Sequence, residues 1–444
     1  MTVRSIALMV LGLTLAMPSM AGDSAWPLPA AKPESVGVSS ARLDGVTAFY
    51  ERQVREQAAS GYVVMVARHG KLVYAKAVGE RNLEKHLPMT LDTHFRIASM
   101  TKPVTAVAVL MLYEEGRFQL DDPVARYLPE FANPRVATGV DAAGNLTTEP
   151  AKRPISIRHL LTHSSGIGYY TFLTGKDPVA RAWSTLKFDE SRTLAENVRD
   201  LATYPLYFHP GDGWQYSFAD DVLGRLVEVL SGMPYDRFLQ QRLFTPLGMT
   251  HTGFYIPEAQ VSMVASVYKH DADGKLVLSS FDARRSTDPV VKSPMGGGGL
   301  QSTAGDYLRF AQMLLNGGSF DGRQYLSPAT VALMTSNQVP EDAMHKYWGA
   351  DSKGLGFGLS ISVILDAASS PQADCVGDFY WSGLLNTRWL ASPRTGVIAL
   401  VMNQLDRSGE KEPLRTEQDL HNLAFGTLQT LDTPAGMPAC MAMR

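Results

Sequence analysis

Ser99 and Lys102, in the stretch "ASMTKPV" over residues 98–104, stand three positions apart. On a helix that spacing puts a hydroxyl and an amine on one face. A serine hydroxyl attacks a carbonyl only when a base takes its proton. A lysine amine, with an ordinary pKa near 10.4, is such a base at neutral pH only after burial or a neighbouring cation depresses it. A depression of about three units costs roughly 4 kcal/mol, within reach of a desolvated site. The two side chains would then form a Ser–Lys acyl-transfer couple without histidine. Alone, the same residues also read as an ordinary helix start.

Two further stretches carry chemistry of the same kind. Tyr216, in "HPGDGWQYSFADDVLG", sits in a loop just ahead of a helical pattern. Its phenol would relay a proton to a leaving group, or act as a phenolate where cations lower its pKa. Trp381, Ser382 and Gly383 form "WSG" within a late strand run. A strand edge beside a nucleophile presents backbone N–H groups to an oxyanion, and losing one such donor typically costs ~10² to 10³ in rate. Taken singly, Tyr216 reads as a loop aromatic and "WSG" as part of an aromatic-rich core strand.

The elements that must hold these residues follow from periodicity. "SSARLDGVTAFYERQV" has helical spacing at Leu43, Val46 and Phe49, and "GYVVMVARHGKLVYAKAVGERN" reads as two strands around a tight "HGK" turn. The helix carrying Ser99 and Lys102 has Val104, Val107, Leu110 and Leu112 on its apolar side and ends near Gly116. From about 120 to 290, short helical patterns alternate with prolines, glycines and polar loops. In "ADDVLGRLVEVLSG" the spacing predicts Val222, Leu223, Leu226, Val229 and Leu230 on one face, with Gly232 as the stop. Strand patterns are sparse here, so this part is expected to be mostly helical. "MGGGGLQSTAGDYLRFAQMLLNGG" starts a second α/β region, with a helix from Thr303 and Asp306 to Gly317. The glycine run Gly296–Gly299 lacks phosphate-loop spacing and a following lysine, and reads as a plain loop. "DFYWSGLLNTRWLASPRTGVIALVMNQ" reads as consecutive antiparallel strands, the last two joined at "PRTG". The expected fold is α+β, an antiparallel sheet flanked by helices. Its α/β lobe would come from about 35–118 and 295–435, with a helical lobe from about 119–294 inserted between.

Composition narrows the function. The chain has 444 residues, 45% hydrophobic and 19% charged, an ordinary globular balance. Forty-one basic and 44 acidic residues leave a net charge of −3 with no basic stripe, so no nucleic-acid partner is expected. "MTVR", the apolar run "SIALMVLGLTLAM" and "PSMA" read together as a secretory signal peptide over residues 1–21, cleaved after Ala21. The apolar run falls short of the about 20 residues needed to span a bilayer, so no stable membrane insertion is expected after cleavage. The mature chain is expected to be periplasmic or secreted. Cys375 and Cys440 have no histidine pattern nearby and make no metal site. An oxidising compartment permits a disulfide between them, and two separate thiols are an equal alternative. No cofactor or metal is indicated, and the oligomeric state is left open.

In order along the chain, S-x-x-K, then Y-S, then W-S-G resembles the serine β-lactamase and penicillin-binding protein superfamily. It is most similar to class C β-lactamases and to their relatives, the family VIII carboxylesterases. "FRIASMTKPVTA", "LDDPVARYLPEF", "ISIRHLLTHSSGI", "PGDGWQYS" and "GGGGLQSTAGDYLRF" extend the resemblance over about residues 33–430, within a domain of 33–435. It implies Ser99 as nucleophile, Lys102 as its base, Tyr216 as proton relay, and an oxyanion hole from the N–H groups of Ser99 and Leu384.

Two departures shape the expected substrate. Where β-lactamases have Y-x-N, this chain has Tyr216-Ser217-Phe218, and where they have K-T-G it has Trp381-Ser382-Gly383. An amide that would read an acylamino group and a cation that would read a carboxylate are both replaced by aromatic side chains. The resemblance therefore implies a serine carboxylesterase acting on small neutral, short-chain acyl esters. Phe218, Trp381, Ser382 and Gly383 would line its substrate site. A class C-like β-lactamase or D-Ala-D-Ala carboxypeptidase is the alternative, with a non-turnover cell-wall binding protein below it. A Ser-His-Asp hydrolase is disfavoured because G-x-S-x-G does not occur, and His163 reads as a structural loop residue.

Overall fold

A computed structural model describes residues 27–444 except 170–176, 284–286, 288, 341, 349–351, 371, 373, 408–415, 432–439 and 441–444. The expected signal peptide over residues 1–21 lies outside the described residues.

Eight strands form one antiparallel sheet. They are β1 (Gly61–Arg68), β2 (Lys71–Asn82), β3 (Leu87–Pro88), β4 (Leu355–Phe357), β5 (Ser362–Ile364), β6 (Phe379–Gly383), β7 (Thr387–Ser392) and β8 (Val397–Met402). Their order is β4-β5-β6-β7-β8-β1-β2-β3, so β1 from the N-terminal part pairs with β8 from the C-terminal part, Val64 opposite Val401. β1, β7 and β8 are buried along their whole length, as expected of strands covered on both faces. The β1–β2 turn is set by two residues. Arg68 pairs with Lys71, and His69 and Gly70 between them both have positive φ (52° and 73°). That backbone matches the twist of a tight hairpin.

Five helices matter for the site: α1 (Ser40–Arg55), α2 (Thr101–Glu114), α3 (Ala219–Ser231), α4 (Ala304–Leu315) and α5 (Thr416–Gly426). α4 packs against β7 and β8, and α1 against β2. Thr303 caps α4 through the Asp306 N–H, and Gly317 (φ 69°) follows its C-terminus. The Asp306 carboxylate does not return to the cap. It accepts from His251 N at 2.7 Å and Thr252 Oγ1 at 2.9 Å, tying α4 to the preceding loop.

α2 departs from its expected one-sided pattern. Every residue from Thr101 to Leu112 is buried, because α3 covers one side while the rest sits in the main core. A helix apolar all round is an interior helix. Pro103 is tolerated in its first turn, where the missing N–H has no intrahelical partner. In α1 the third buried position is Tyr50 rather than Phe49. In α3, Val227 is buried and Val229 is 38% exposed, so the apolar stripe runs 222, 223, 226, 227.

Residues 119–294, expected to be mostly helical, also contain two antiparallel hairpins. One pairs Arg135–Val140 with Leu146–Pro150, and the other pairs Tyr268–His270 with Leu276–Leu278. Short, largely exposed strands lack the apolar alternation that marks a strand in sequence. Cys375 and Cys440 are joined as a disulfide, which decides between the two alternatives left by the sequence.

Candidate active site

The nucleophile candidate lies in a single 3₁₀ turn, Ala98–Met100, immediately before α2. Ala98 has a positive φ of 44°, a conformation uncommon for a residue with a Cβ. Packing holds it there. Ile97 N donates to Leu300 O at 3.1 Å, Thr387 Oγ1 donates to Ile97 O at 3.3 Å, and Tyr307 Oη donates to Met100 O at 2.9 Å. The turn is thus fastened from β7, α4 and Leu300, the residue directly after the glycine run.

Lys102, wholly buried, places Nζ 3.5 Å from Ser99 Oγ, and Nζ also donates to Gly297 O. Nζ stands 4.6 Å from the Tyr216 ring centre and 5.7 Å from that of Tyr169. Tyr216 is likewise buried. Burial pushes its phenol well above the usual range, and a hydrogen bond with Ser99 opposes part of that rise. Asp220 and Asp221 add to the upward push, so the phenol stays protonated and the phenolate role considered from sequence is disfavoured.

Two buried carboxylates at the start of α3 complete the interior of the site. Burial raises Asp220 to about 7 and Asp221 to about 6, in both cases against the opposing pull of Lys102. Asp220 Oδ1 accepts from Ser360 Oγ at 2.8 Å, while its Oδ2 lies 3.3 Å from His163 Nε2. His163 Nδ1 meets Ser217 Oγ at 2.9 Å, and its ring centre is 4.9 Å from that of Tyr216. Burial and Lys102 keep the imidazole neutral by holding its pKa well below the usual value. His163 therefore has no contact with Ser99 among these interactions and packs behind Tyr216.

A cavity of about 620 Å³ opens onto Ser99, Ala98 and Leu384. Ser99 N–H belongs to the first turn of a helix start, whose N–H groups lack intrahelical acceptors, and Leu384 lies in the turn after β6. β6 packs against the 3₁₀ turn closely enough that a Cβ on Gly383 would collide with Ile97 O and Thr387 Oγ1. Gly383→Ala should therefore push β6 off the Ser99 turn. We expect covalent labelling of Ser99 by a fluorophosphonate to slow on the order of 10²-fold; labelling at the wild-type rate would show that the close approach does not matter.

The sequence-derived residues separate into groups. Ser99, Lys102 and Tyr216 are brought together, and Leu384 shares the cavity wall with Ser99. Trp381 lies tilted against Tyr216 at 5.7 Å and edge-to-face with Phe357 at 5.4 Å within a core cluster, rather than lining the cavity. Ser382 is the half-exposed residue of β6. Phe218 differs from expectation. It is wholly buried against Tyr169 and Phe188, and the aromatics that line the cavity are Tyr169, Phe254 and Phe281. The cause is position: Phe218 caps α3 and faces the helical core. Sequence reasoning missed Tyr169, Arg96, Glu190 and Lys292, all on the cavity wall, which is therefore more charged than expected. It also missed the glycine run. Gly297 contacts Lys102, and Gly298 and Gly299 line the cavity, so this is a wall of the site rather than a plain loop.

Comparison with known proteins agrees with this geometry. The beta-lactamase family pattern matches residues 46–423. The chain belongs to the beta-lactamase family. Membership makes it a serine hydrolase of the β-lactamase/transpeptidase-like fold. Protein Rv1367c of Mycobacterium tuberculosis is 39% identical over 368 residues, covering 82% of this chain and 90% of that one. Esterase EstB of Burkholderia gladioli is 34% identical over 397 residues, covering 84% and 93%. Among solved structures, "EstCE1, a hydrolase with promiscuous acyltransferase activity" superposes with a TM-score of 0.72 at 28% identity, covering 87% of this chain and 98% of that one. Among the described residues, no group of three or more His, Cys, Asp or Glu side chains could hold a metal. No described helix is long and apolar enough to cross a membrane.

Proposed function

We propose that this protein is an exported serine carboxylesterase that cleaves small neutral esters through an acyl-enzyme on Ser99. The observation that carries the reading is the buried Lys102 amine 3.5 Å from Ser99 Oγ, at a cavity that also reaches Leu384. Ester hydrolysis occurs within the family, as the name of EstB records.

In this reading Ser99 Oγ attacks the ester carbonyl while its proton passes to Lys102 Nζ. The N–H groups of Ser99 and Leu384 receive the oxyanion. Collapse of the tetrahedral intermediate breaks the C–O bond of the alcohol. The proton returns from Lys102 through the Tyr216 phenol to the leaving alkoxide, and the neutral alcohol departs. Water then repeats the sequence on the acyl-enzyme and releases the acid. Tyr216 suits a relay because it remains a phenol and bonds with Ser99.

Two positions bear on the substrate. Trp381 brings no cation, and Phe218, turned into the core, brings no amide. A cavity of about 620 Å³ accommodates an aryl or alkyl leaving group beside a short acyl chain. We expect p-nitrophenyl acetate or butyrate to be hydrolysed with a kcat/KM at least ~10²-fold above that for nitrocefin. Lys292 on the cavity wall supports a second reading, because it supplies a cation to an anionic substrate without a K-T-G lysine. A higher kcat/KM on nitrocefin than on every short ester of an acyl-length panel would select that second reading and overturn the first.

A further inference from the structure

Gly297 is bound on both sides. Its N–H donates to Asp221 Oδ1 at 3.1 Å, and its carbonyl accepts from Lys102 Nζ. A Cβ at this position would stand 2.6 Å from Asp221 Oδ2 and 3.3 Å from Lys102 Nζ, so both atoms lie close to the bare α-carbon, and the two groups interact electrostatically. Asp221 is wholly buried, and its Oδ2 has no hydrogen-bond partner among the described residues. Once Nζ has taken the Ser99 proton it is an ammonium with three donors, and Gly297 O accepts from one of them.

From this arrangement we infer that Asp221 is a positioning residue that acts through Lys102. Its Oδ1 sets the Gly297 backbone that holds the amine, and its Oδ2 supplies the countercharge when the amine takes the Ser99 proton. The balance is simple. As Ser99 Oγ bonds to the acyl carbon, the proton moves from Oγ to Nζ, and a buried cation appears where none stood before. An uncompensated buried charge is costly, and a buried carboxylate facing it removes much of that cost in the transition state. Glycine at 297 keeps a Cβ away from both Oδ2 and Nζ.

Other titratable groups share this interior. Lys102 faces Asp221 from α2, Asp220 adjoins it on α3, and Tyr216 and Tyr235 lie within electrostatic reach. His163 faces Asp220 rather than Asp221. The isosteric change Asp221→Asn keeps an acceptor for Gly297 N–H and removes only the charge.

The inference rests on the Ser99–Lys102 couple proposed above, so its test follows labelling of Ser99 by a fluorophosphonate, which needs the couple but no particular ester. For Asp221→Asn we expect the second-order labelling rate to fall on the order of 10²-fold. The acid limb that protonation of Asp221 near its folded value of about 6 gives the wild type should be absent from the variant. Gly297→Ala, which sets a methyl group against Oδ2 and Nζ, should slow labelling in the same way. Wild-type rate and limb in Asp221→Asn would overturn the inference. So would a slowed rate with the limb retained and a lowered melting temperature, the signature of a purely structural role. Should Asp221→Asn not fold, an unchanged rate in Gly297→Ala overturns it. Labelling of wild type without turnover of any ester would instead remove the esterase reading and leave the inference to these rates.

Discussion

Ser99→Ala should abolish turnover of every ester and all fluorophosphonate labelling, with kcat lowered on the order of 10⁴- to 10⁶-fold. The size follows from the chemistry. Without Oγ there is no acyl-enzyme, and only binding and the oxyanion donors remain to assist water. The fold should be untouched. Ser99 is half-buried, and the 3₁₀ turn is held by the backbone of Ile97 and Met100 and by Thr387 and Tyr307, not by the Ser99 hydroxyl. Unchanged melting with lost labelling is the expected pair of results. Equal labelling of wild type and variant would remove Ser99 from its role.

Lys102→Met should be nearly as severe, lowering kcat on the order of 10³- to 10⁴-fold, because the buried base is gone while the hydroxyl remains. Its second effect concerns stability and has a definite sign. Asp220 and Asp221 have folded pKa values of about 7 and about 6, above the ordinary 3.8. A carboxyl raised in the folded state binds protons more tightly there than in the unfolded chain. Such a group makes the protein less stable as pH rises from about 4 towards its folded value. Lys102 opposes both rises. Removing it should push both values further up and extend the window of falling stability to higher pH. Thermal melting from pH 5 to 8 should show the variant close to wild type at pH 5 and increasingly below it towards pH 8. A constant difference across that range would show that the two carboxyls do not face the Lys102 amine in the way described.

Much of the site was legible because its residues are close in sequence or carry strong local signals. The three-residue spacing of Ser99 and Lys102 needs only one helical turn to bring Nζ to 3.5 Å from Oγ. His69 and Gly70 mark a tight turn, Thr303 a helix start and Gly232 a helix stop, and in each case the backbone adopts the conformation those residue types favour. Phe218 shows the opposite situation. Its place two residues after Tyr216 suggested a cavity-facing side chain, but at the N-cap position of α3 it packs into the core, and Tyr169 from a distant loop is on the wall.

From the sequence alone came Ser99, Lys102 and Tyr216 as the candidate site and the family to which the chain belongs, since these rest on short motifs in a fixed order. Tertiary structure alone decided that α2 is buried all round, that Gly297 bridges Asp221 and Lys102, that His163 sits behind Tyr216, and that Cys375 reaches Cys440. The reason is physical. Hydrogen bonds and countercharges between residues 50 to 200 positions apart depend on how helices and strands pack, and packing acts on surfaces that no single stretch of chain contains.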